Sequence, residues 1–464
     1  MLISLMSDFD LSVFKKYDIR GLSPQNINPN FAFRLGLSFS TFLASKNISS
    51  PTVVVSRDAR LSSPSLGQEL IRALRQQGVN VVDIGQASTP AFYFAVAFYG
   101  HDGGIQITAS HNPKDYNGFK MVLSRSRPLS QETGLEDIKN IFVKNSFTSA
   151  SSPGQLLPAP NILHDLIISQ SREWGIIPEK LKKIKIVIDP ANGMNILDST
   201  AFFKFLPGEI FPLNFSLDGN FPAHEADPLK PENLAQLQDQ VVKQNADLGI
   251  AADGDGDRIF FVDEKGKLIP QEILRGLIAQ IVLKKYPASP VCYDIRPGRI
   301  TADLINQVGG QAIITPVGHS LIKQIMIEND SYFSGESSGH FAFKFSYGYF
   351  EAPLVFISLV LKYLTDQNQP LSALIDPHRI YFHSGEINSE VVSPQAKIEE
   401  IKQKFSSLPS AEINLLDGLT VTFPDYWFNL RASNTESKLR LNLEAKSKKI
   451  MELNRDKLLK LIRS

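Results

Sequence analysis

Short apolar runs alternate with longer stretches of helical period along this chain, and the alternation occurs three times. The run 52–55 passes through SRDARLSSP into an amphipathic stretch, 66–77, which Gly78 stops before the apolar run 79–84. The run 184–188 reaches Asp189-Pro190-Ala191-Asn192-Gly193, then a helical stretch, then the run 209–213. The run 291–295 reaches Arg296-Pro297-Gly298-Arg299, then 300–308, Gly309-Gly310 and 312–315. Continuous apolar runs separated by helical periods and glycine stops predict parallel strand–helix–strand units with helices on both sheet faces.

Each unit is followed by one more apolar strand whose end has an unusual composition. GIQIT ends in ASHNP, LGIAA ends in DGDGDR, and SYFS ends in GESSGH. Open α/β sheets bind ligands beyond the carboxyl ends of their strands, so each unit offers one loop to a site. The matching positions favour a repeated unit around one shared central cleft over three unrelated domains. The last hundred residues differ. The segments QNQP at 367–370 and DPH at 376–378 read as linker, and beyond them the strand and helix signals lose the parallel pattern. The expected architecture is three related mixed-sheet α/β domains at 1–153, 154–266 and 267–372. A hinged C-terminal α+β domain at 373–464 completes it.

Composition narrows the class. A chain of 464 residues is too long for one core, and 43% hydrophobic with 21% charged residues is a globular balance. Lys plus Arg and Asp plus Glu number 48 each, so no global field draws nucleic acid or an anionic membrane. Any anion must be held by a local cluster. The lone Cys292 lies in an apolar strand and reads as core filler without a disulfide. The start, MLISLMSDFDLSVF, lacks the pattern of a signal peptide, and the most apolar segment, 354–364, is too short to span a bilayer. A cytoplasmic enzyme is expected.

Three loops carry candidate chemistry. In Asp253-Gly254-Asp255-Gly256-Asp257-Arg258, three carboxylates at alternate positions can converge on a hard cation of the Mg²⁺ or Ca²⁺ kind. An EF-hand is excluded because Arg258 stands where its sharp-turn glycine is required and both flanks read as strands. A solvated acidic turn is less favourable, since three stacked carboxylates repel without a counter-ion. In Arg431-Ala432-Ser433-Asn434-Thr435-Glu436-Ser437, a guanidinium, hydroxyls and an amide can surround a phosphate. Ser433 and Glu436 also fit a helix capping box, so the loop is either a strand-to-helix junction or a turn. In Gly335-Glu336-Ser337-Ser338-Gly339-His340, a carboxylate, hydroxyls and an imidazole suit neighbouring sugar hydroxyls. Gly318-His319-Ser320 holds a similar strand-end position.

Taken with Tyr17-Asp18-Ile19-Arg20-Gly21 and Thr108-Ala109-Ser110-His111-Asn112-Pro113, these motifs occur in the order seen in α-D-phosphohexomutases. The chain resembles the bacterial phosphomannomutase/phosphoglucomutase type over essentially its whole length. The resemblance implies that Ser110 carries a phosphoryl group and binds Mg²⁺ together with Asp253, Asp255 and Asp257. It implies that Glu336 and Ser338 read sugar hydroxyls. Arg431, Ser433, Asn434 and Thr435 would hold the substrate phosphate with Tyr17 nearby. Lys120, His340 and Arg20 would lie close to the transferring proton and phosphoryl. Arg258, His319 and Arg296 complete the expected site. Departures are Ser437 for a common proline, Ser56 for glycine, Arg296 for lysine, and Tyr349-Phe350-Glu351-Ala352-Pro353 where an Asp-Gly type turn is usual.

The implied reaction interconverts hexose 6-phosphate and hexose 1-phosphate, with mannose or glucose as the sugar. Mg²⁺ and a hexose 1,6-bisphosphate, as activator and intermediate, are the implied cofactors. The implied partners are small-molecule hexose phosphates, with no nucleic acid and no membrane, and a monomer is compatible with them. A phosphoglucosamine mutase, a metal-dependent sugar phosphatase and a non-catalytic sugar-phosphate binder are the alternatives.

Overall fold

The computed structural model describes residues 9–48, 50–432 and 438–464. These form two compact units, one running to Ile269 and taking in Ser338–Leu371, the other holding Pro270–Ser337 and Ser372–Ser464. The first unit contains two of the expected repeats. In one, the strand Thr52–Arg57 lies parallel between Asn80–Gln86 and Gly103–Ile107. Tyr116–Leu123 then returns antiparallel beside Gly103–Ile107 and pairs on its other edge with Ile19–Leu22. In the other, Ile184–Asp189 lies parallel between Gly208–Pro212 and Leu248–Ala252, and Ile259–Asp263 returns antiparallel. The second unit repeats the order, with Pro290–Asp294 parallel between Gln311–Thr315 and Phe333–Gly335.

Local sequence accounts for the connections. The helix Ser63–Gln76 begins three residues before the expected apolar stripe because Pro64 suits a first turn. It buries Leu66, Leu70, Ala73 and Leu74 on one face, and Gly78 at φ +78° ends it in the left-handed region. The helix Thr89–Phe98 has no polar face and is buried from Thr89 to Ala97. Its N-cap is Ser88, whose hydroxyl accepts from Ala91 N at 3.1 Å.

In place of an Asp-Gly turn, the strand Gly348–Glu351 runs directly into the helix Pro353–Gln367, which starts on its proline and ends at Asn368 in the left-handed conformation. The apolar segment 354–364 is the body of this helix and is a core element. Phe356 stacks on Phe341 with ring centroids 3.6 Å apart. Among the described residues, no helix is long and apolar enough to cross a membrane.

The C-terminal part of the second unit is an antiparallel sheet in which Lys438–Ala445 pairs with Tyr426–Ala432, and Leu419–Thr422 continues outward. The helices Pro394–Ser406 and Lys448–Arg463 bury Ile401, Met451, Leu458 and Ile462 against Leu419, Val421, Phe428 and Leu441, the expected α+β arrangement. Glu444 links this sheet to the repeat before it. Its Oε2 accepts from Trp427 Nε1 at 2.9 Å and from the N–H groups of Gly298 and Arg299 at 3.3 and 3.5 Å. Those two amides open the helix Arg299–Gln307, whose own N-cap, Gly298, supplies no side chain.

Candidate functional site

The strand Gly103–Ile107 delivers Ser110 shortly beyond its last ladder bonds. Thr108 Oγ1 accepts from Ser110 N at 2.9 Å, and Ser110 adopts φ +53°, a left-handed turn that a serine enters only when its surroundings hold it there. The buried Ser110 Oγ donates to Asp253 Oδ2 at 2.9 Å and lies 3.2 Å from His111 Nδ1. Burial, followed by the charges of Arg258 and Arg20, drives the His111 pKa well below its usual value. A pKa lowered in this way weakens His111 as a base, and the Ser110 hydroxyl already donates to Asp253, so Asp253 rather than His111 is the hydroxyl's partner.

Arg20 approaches the loop from the strand Ile19–Leu22. Its guanidinium is paired with Asp18 and donates to Asn112 Oδ1 at 2.8 Å and Ala109 O at 3.4 Å. Gly118 lies opposite Arg20 in the ladder, where an added Cβ would fall 1.9 Å from Ile19 O, so only glycine permits the two strands to close.

The three aspartates converge as expected. One ligand oxygen from each of Asp253, Asp255 and Asp257 lies within 4.8 Å of the others, and all three residues are buried. Asp253 Oδ1 receives the backbone N–H groups of Gly256 and Arg258, each at 3.1 Å, across a turn that needs Gly256 at φ +77°. Lys120 Nζ bridges Asp255 Oδ2 and Asp257 Oδ2 at 2.7 and 2.6 Å. Burial opposes that ammonium's charge, but Asp255 and Asp257 prevail and raise its pKa well above the usual value.

Thr89 Oγ1 also donates to Asp255 Oδ2, at 2.6 Å, leaving Asp255 Oδ1 buried without a hydrogen-bond partner among the described residues. Burial and the adjacent Asp255 and Asp257 push Asp253 up to about 7. Repelling carboxylates, oxygen donors only and one orphaned oxygen fit a hard divalent cation.

Arg258 and His340 border this cluster. The Arg258 side chain lies 3.8 Å from Asp253 Oδ2 and donates from Nε to His340 Nε2 at 3.4 Å. His340 Nε2 is also 3.2 Å from Asp257 Oδ1, and its Nδ1 is 3.0 Å from Ser338 Oγ. Tyr17 sits half-buried just before the strand that carries Arg20.

The second unit carries a separate group. Glu336 accepts from Gly318 N at 2.9 Å and lies 3.8 Å from Arg296 Nη2, while Arg296 Nε donates to Asp294. His319 opens the helix His319–Glu328 directly after Gly318. Arg431 is paired with Glu386 at 2.7 Å and Asp417 at 3.6 Å. Asp417 in turn accepts from Val317 N at 2.9 Å, one residue before Gly318. Ser433, Asn434 and Thr435 lie outside the described residues. The described residues on either side are strands, Tyr426–Ala432 and Lys438–Ala445, with Ala432 paired to Leu439.

Sequence reasoning missed Arg60, Asp58, Thr89 and Asp198. Arg60 is 1% exposed and donates to Ser110 O, Asn112 O, Pro113 O and Tyr116 O at 2.6–3.0 Å, and from Nε to Asp58 Oδ2 at 3.0 Å. The signal was present in SRDAR, a buried-strand end followed by an Asp-x-Arg pair. Thr89 reaches the acidic loop from a helix start, and Ser88 beside it donates to the buried Asp198 at 2.6 Å. No spacing in the sequence announces either contact.

Known proteins resemble the chain throughout. Profiles described as phosphoglucomutase/phosphomannomutase alpha/beta/alpha domains I, II and III match residues 11–149, 168–266 and 271–380, and the C-terminal domain profile matches 386–461. A phosphomannomutase of Methanocaldococcus jannaschii is 39% identical over 96% of both chains. A phosphomannomutase of Vibrio cholerae is 38% identical over 94% of this chain and 95% of its own. A solved phosphoglucomutase/phosphomannomutase family protein from Burkholderia thailandensis superposes with a TM-score of 0.88 at 32% identity, covering 98% of this chain and 97% of its own.

Proposed function

The chain belongs to the phosphoglucomutase/phosphomannomutase family of isomerases, and on that premise we propose that it interconverts hexose 6-phosphate and hexose 1-phosphate through a phosphoryl group carried on Ser110. The observation that carries this reading is the placement of Ser110 Oγ, buried in a held left-handed turn and 2.9 Å from one carboxylate of a convergent aspartate triad. The names of the two relatives support mannose phosphate as a substrate. The proposed domains are 1–153, 154–266, 267–372 and 373–464.

Asp253, Asp255 and Asp257 would hold Mg²⁺ together with the phosphorylated Ser110. When bound, the ion supplies positive charge against the transferring phosphoryl oxygens. The rest is done by the chain's own groups. Arg258 and Arg20 add fixed positive charge beside Ser110, where charge accumulates during transfer. The Ser110 Oγ–P bond breaks as the sugar hydroxyl oxygen bonds to phosphorus, and that hydroxyl's proton passes to His340, while the Lys120 ammonium, held charged by Asp255 and Asp257, adds positive charge beside the transfer. The product is a hexose 1,6-bisphosphate. It turns end for end and returns its other phosphoryl to Ser110. Glu336 and Ser338 would accept and donate to sugar hydroxyls, and Arg431 with Ser433, Asn434 and Thr435 would grip whichever phosphate is not reacting.

The test combines intact mass with product analysis. A phosphoryl mass increment confined to Ser110, turnover stimulated by added hexose 1,6-bisphosphate and little free phosphate are expected. Stoichiometric phosphate release would establish a phosphatase instead, and binding without any phosphoryl on Ser110 a non-catalytic binder.

A further inference from the structure

Arg60 is fully buried and takes no part in the reaction above, yet its guanidinium is bonded through Nε and both terminal nitrogens. Four of its bonds go to backbone carbonyls between Ser110 and Tyr116, so a single planar group orients four peptide units of the loop. One of those carbonyls is that of Ser110, the residue in the left-handed conformation. Turning that carbonyl towards Arg60 fixes the Ser110 backbone from one side, while Thr108 Oγ1 holds its N–H. With both held, the side chain faces Asp253.

The guanidinium is itself braced. Asp58 binds its Nε and also accepts from Arg60 N at 3.0 Å and Ser63 Oγ at 2.7 Å. The Phe221 ring lies 5.1 Å from the Arg60 guanidinium carbon. Gly219 packs so tightly on the Arg60 backbone that an added Cβ would fall 2.1 Å from Ala59 O. Residues following the second repeat's strand Gly208–Pro212 therefore close over the support of the first repeat's serine loop.

We propose that Arg60 is a positioning residue for phosphoryl transfer, holding the 110–116 loop so that Ser110 Oγ is presented to the acidic triad. This rests on Ser110 being the phosphoryl carrier. Arg60→Lys keeps the charge but replaces a planar fork by one nitrogen with three donors, too few for four carbonyls and Asp58. A small displacement of a nucleophile is expected to lower kcat by roughly 100-fold, counted per Ser110 able to take up phosphoryl. KM for the sugar phosphate should stay within about threefold of wild type, since the lost interaction belongs to the transfer step. Hydrogen exchange should accelerate at amides 108–117 and remain unchanged elsewhere in the first unit.

A kcat within about threefold of wild type, or a fall matched by the loss of folded protein, would overturn the proposal. If Arg60→Lys does not fold, Asp58→Asn tests it by taking away the Nε acceptor. A roughly tenfold lower kcat at unchanged KM supports the proposal, and an unchanged kcat overturns it. Wild-type protein that never gains a phosphoryl on Ser110 would instead overturn the reading on which it rests.

Discussion

Replacing Asp198 by asparagine should change how stability depends on pH. Asp198 lies in the first turn of the helix Asn195–Phe202 and is 1% exposed. Its Oδ2 accepts from Ser88 Oγ at 2.6 Å, and its Oδ1 has no partner among the described residues. Burial outweighs the Ser88 bond and raises the carboxyl from its ordinary 3.8 to about 7. A carboxyl raised by folding binds its proton more tightly in the native state. Its contribution is therefore fully favourable below 3.8 and is lost as the pH climbs through 7. Full ionisation of the buried group costs about 4 kcal/mol, of which roughly 2.5 kcal/mol falls between about pH 5 and pH 8.

In Asp198→Asn the new amide would retain an acceptor for Ser88 and cease to titrate. Its nitrogen would add an unpaired donor at a pH-independent cost of about 1–3 kcal/mol. The slope of the difference between the two proteins, rather than its value at any one pH, carries the information. Urea unfolding of both proteins at fixed temperature, from about pH 5 to pH 8, measures it. The variant should gain about 2–3 kcal/mol on the wild type across that range. Parallel profiles, agreeing within about 0.5 kcal/mol, would show that Asp198 does not titrate in this window and would refute the argument.

Three further outcomes are expected. Ser110→Ala should abolish mutase turnover with an unchanged unfolding midpoint, because one oxygen leaves a loop that Arg60 and Arg20 still hold; substantial residual activity would rule out the phosphoserine scheme. Thr89→Val should weaken Mn²⁺ binding, read by electron paramagnetic resonance without substrate, by about tenfold, and Thr89→Ser should restore it. Equal affinity in all three proteins would mean that Thr89 does not orient Asp255. Arg431→Ala should raise KM for the sugar phosphate by about 10- to 100-fold with a smaller effect on kcat, and an unchanged KM would remove Arg431 from the phosphate site.

The repeat was legible because strands buried on both faces must be continuously apolar. The runs 52–55, 184–188 and 291–295 therefore declared themselves, as did the loops that follow each unit. The triad was legible because alternate aspartates separated by glycine have few structural uses. Arg60 was not, although it sits in a quoted motif: an arginine's sequence neighbours do not disclose that its partners are carbonyls some fifty residues away. Thr89 and Asp198 were hidden for the same reason, being brought to the acidic loop and to Ser88 by packing between repeats. The junction after Glu351 was unclear because Ala-Pro replaces a turn. Proline resolves it by starting a helix where glycine would have made a bend.

The helix Arg299–Gln307 takes its cap from 145 residues further along the chain. Gly298 brings no oxygen, and Glu444 from the C-terminal sheet supplies one to two of its first amides. A protein cut after the third repeat would keep every residue of that helix and lose the group that terminates it, leaving amide donors and an unopposed positive end. The loop that carries Arg296 leads straight into those amides. The C-terminal sheet is thus a standing condition on the order of a neighbouring repeat, and swapping or trimming it would be felt first at Arg296 rather than at the cut.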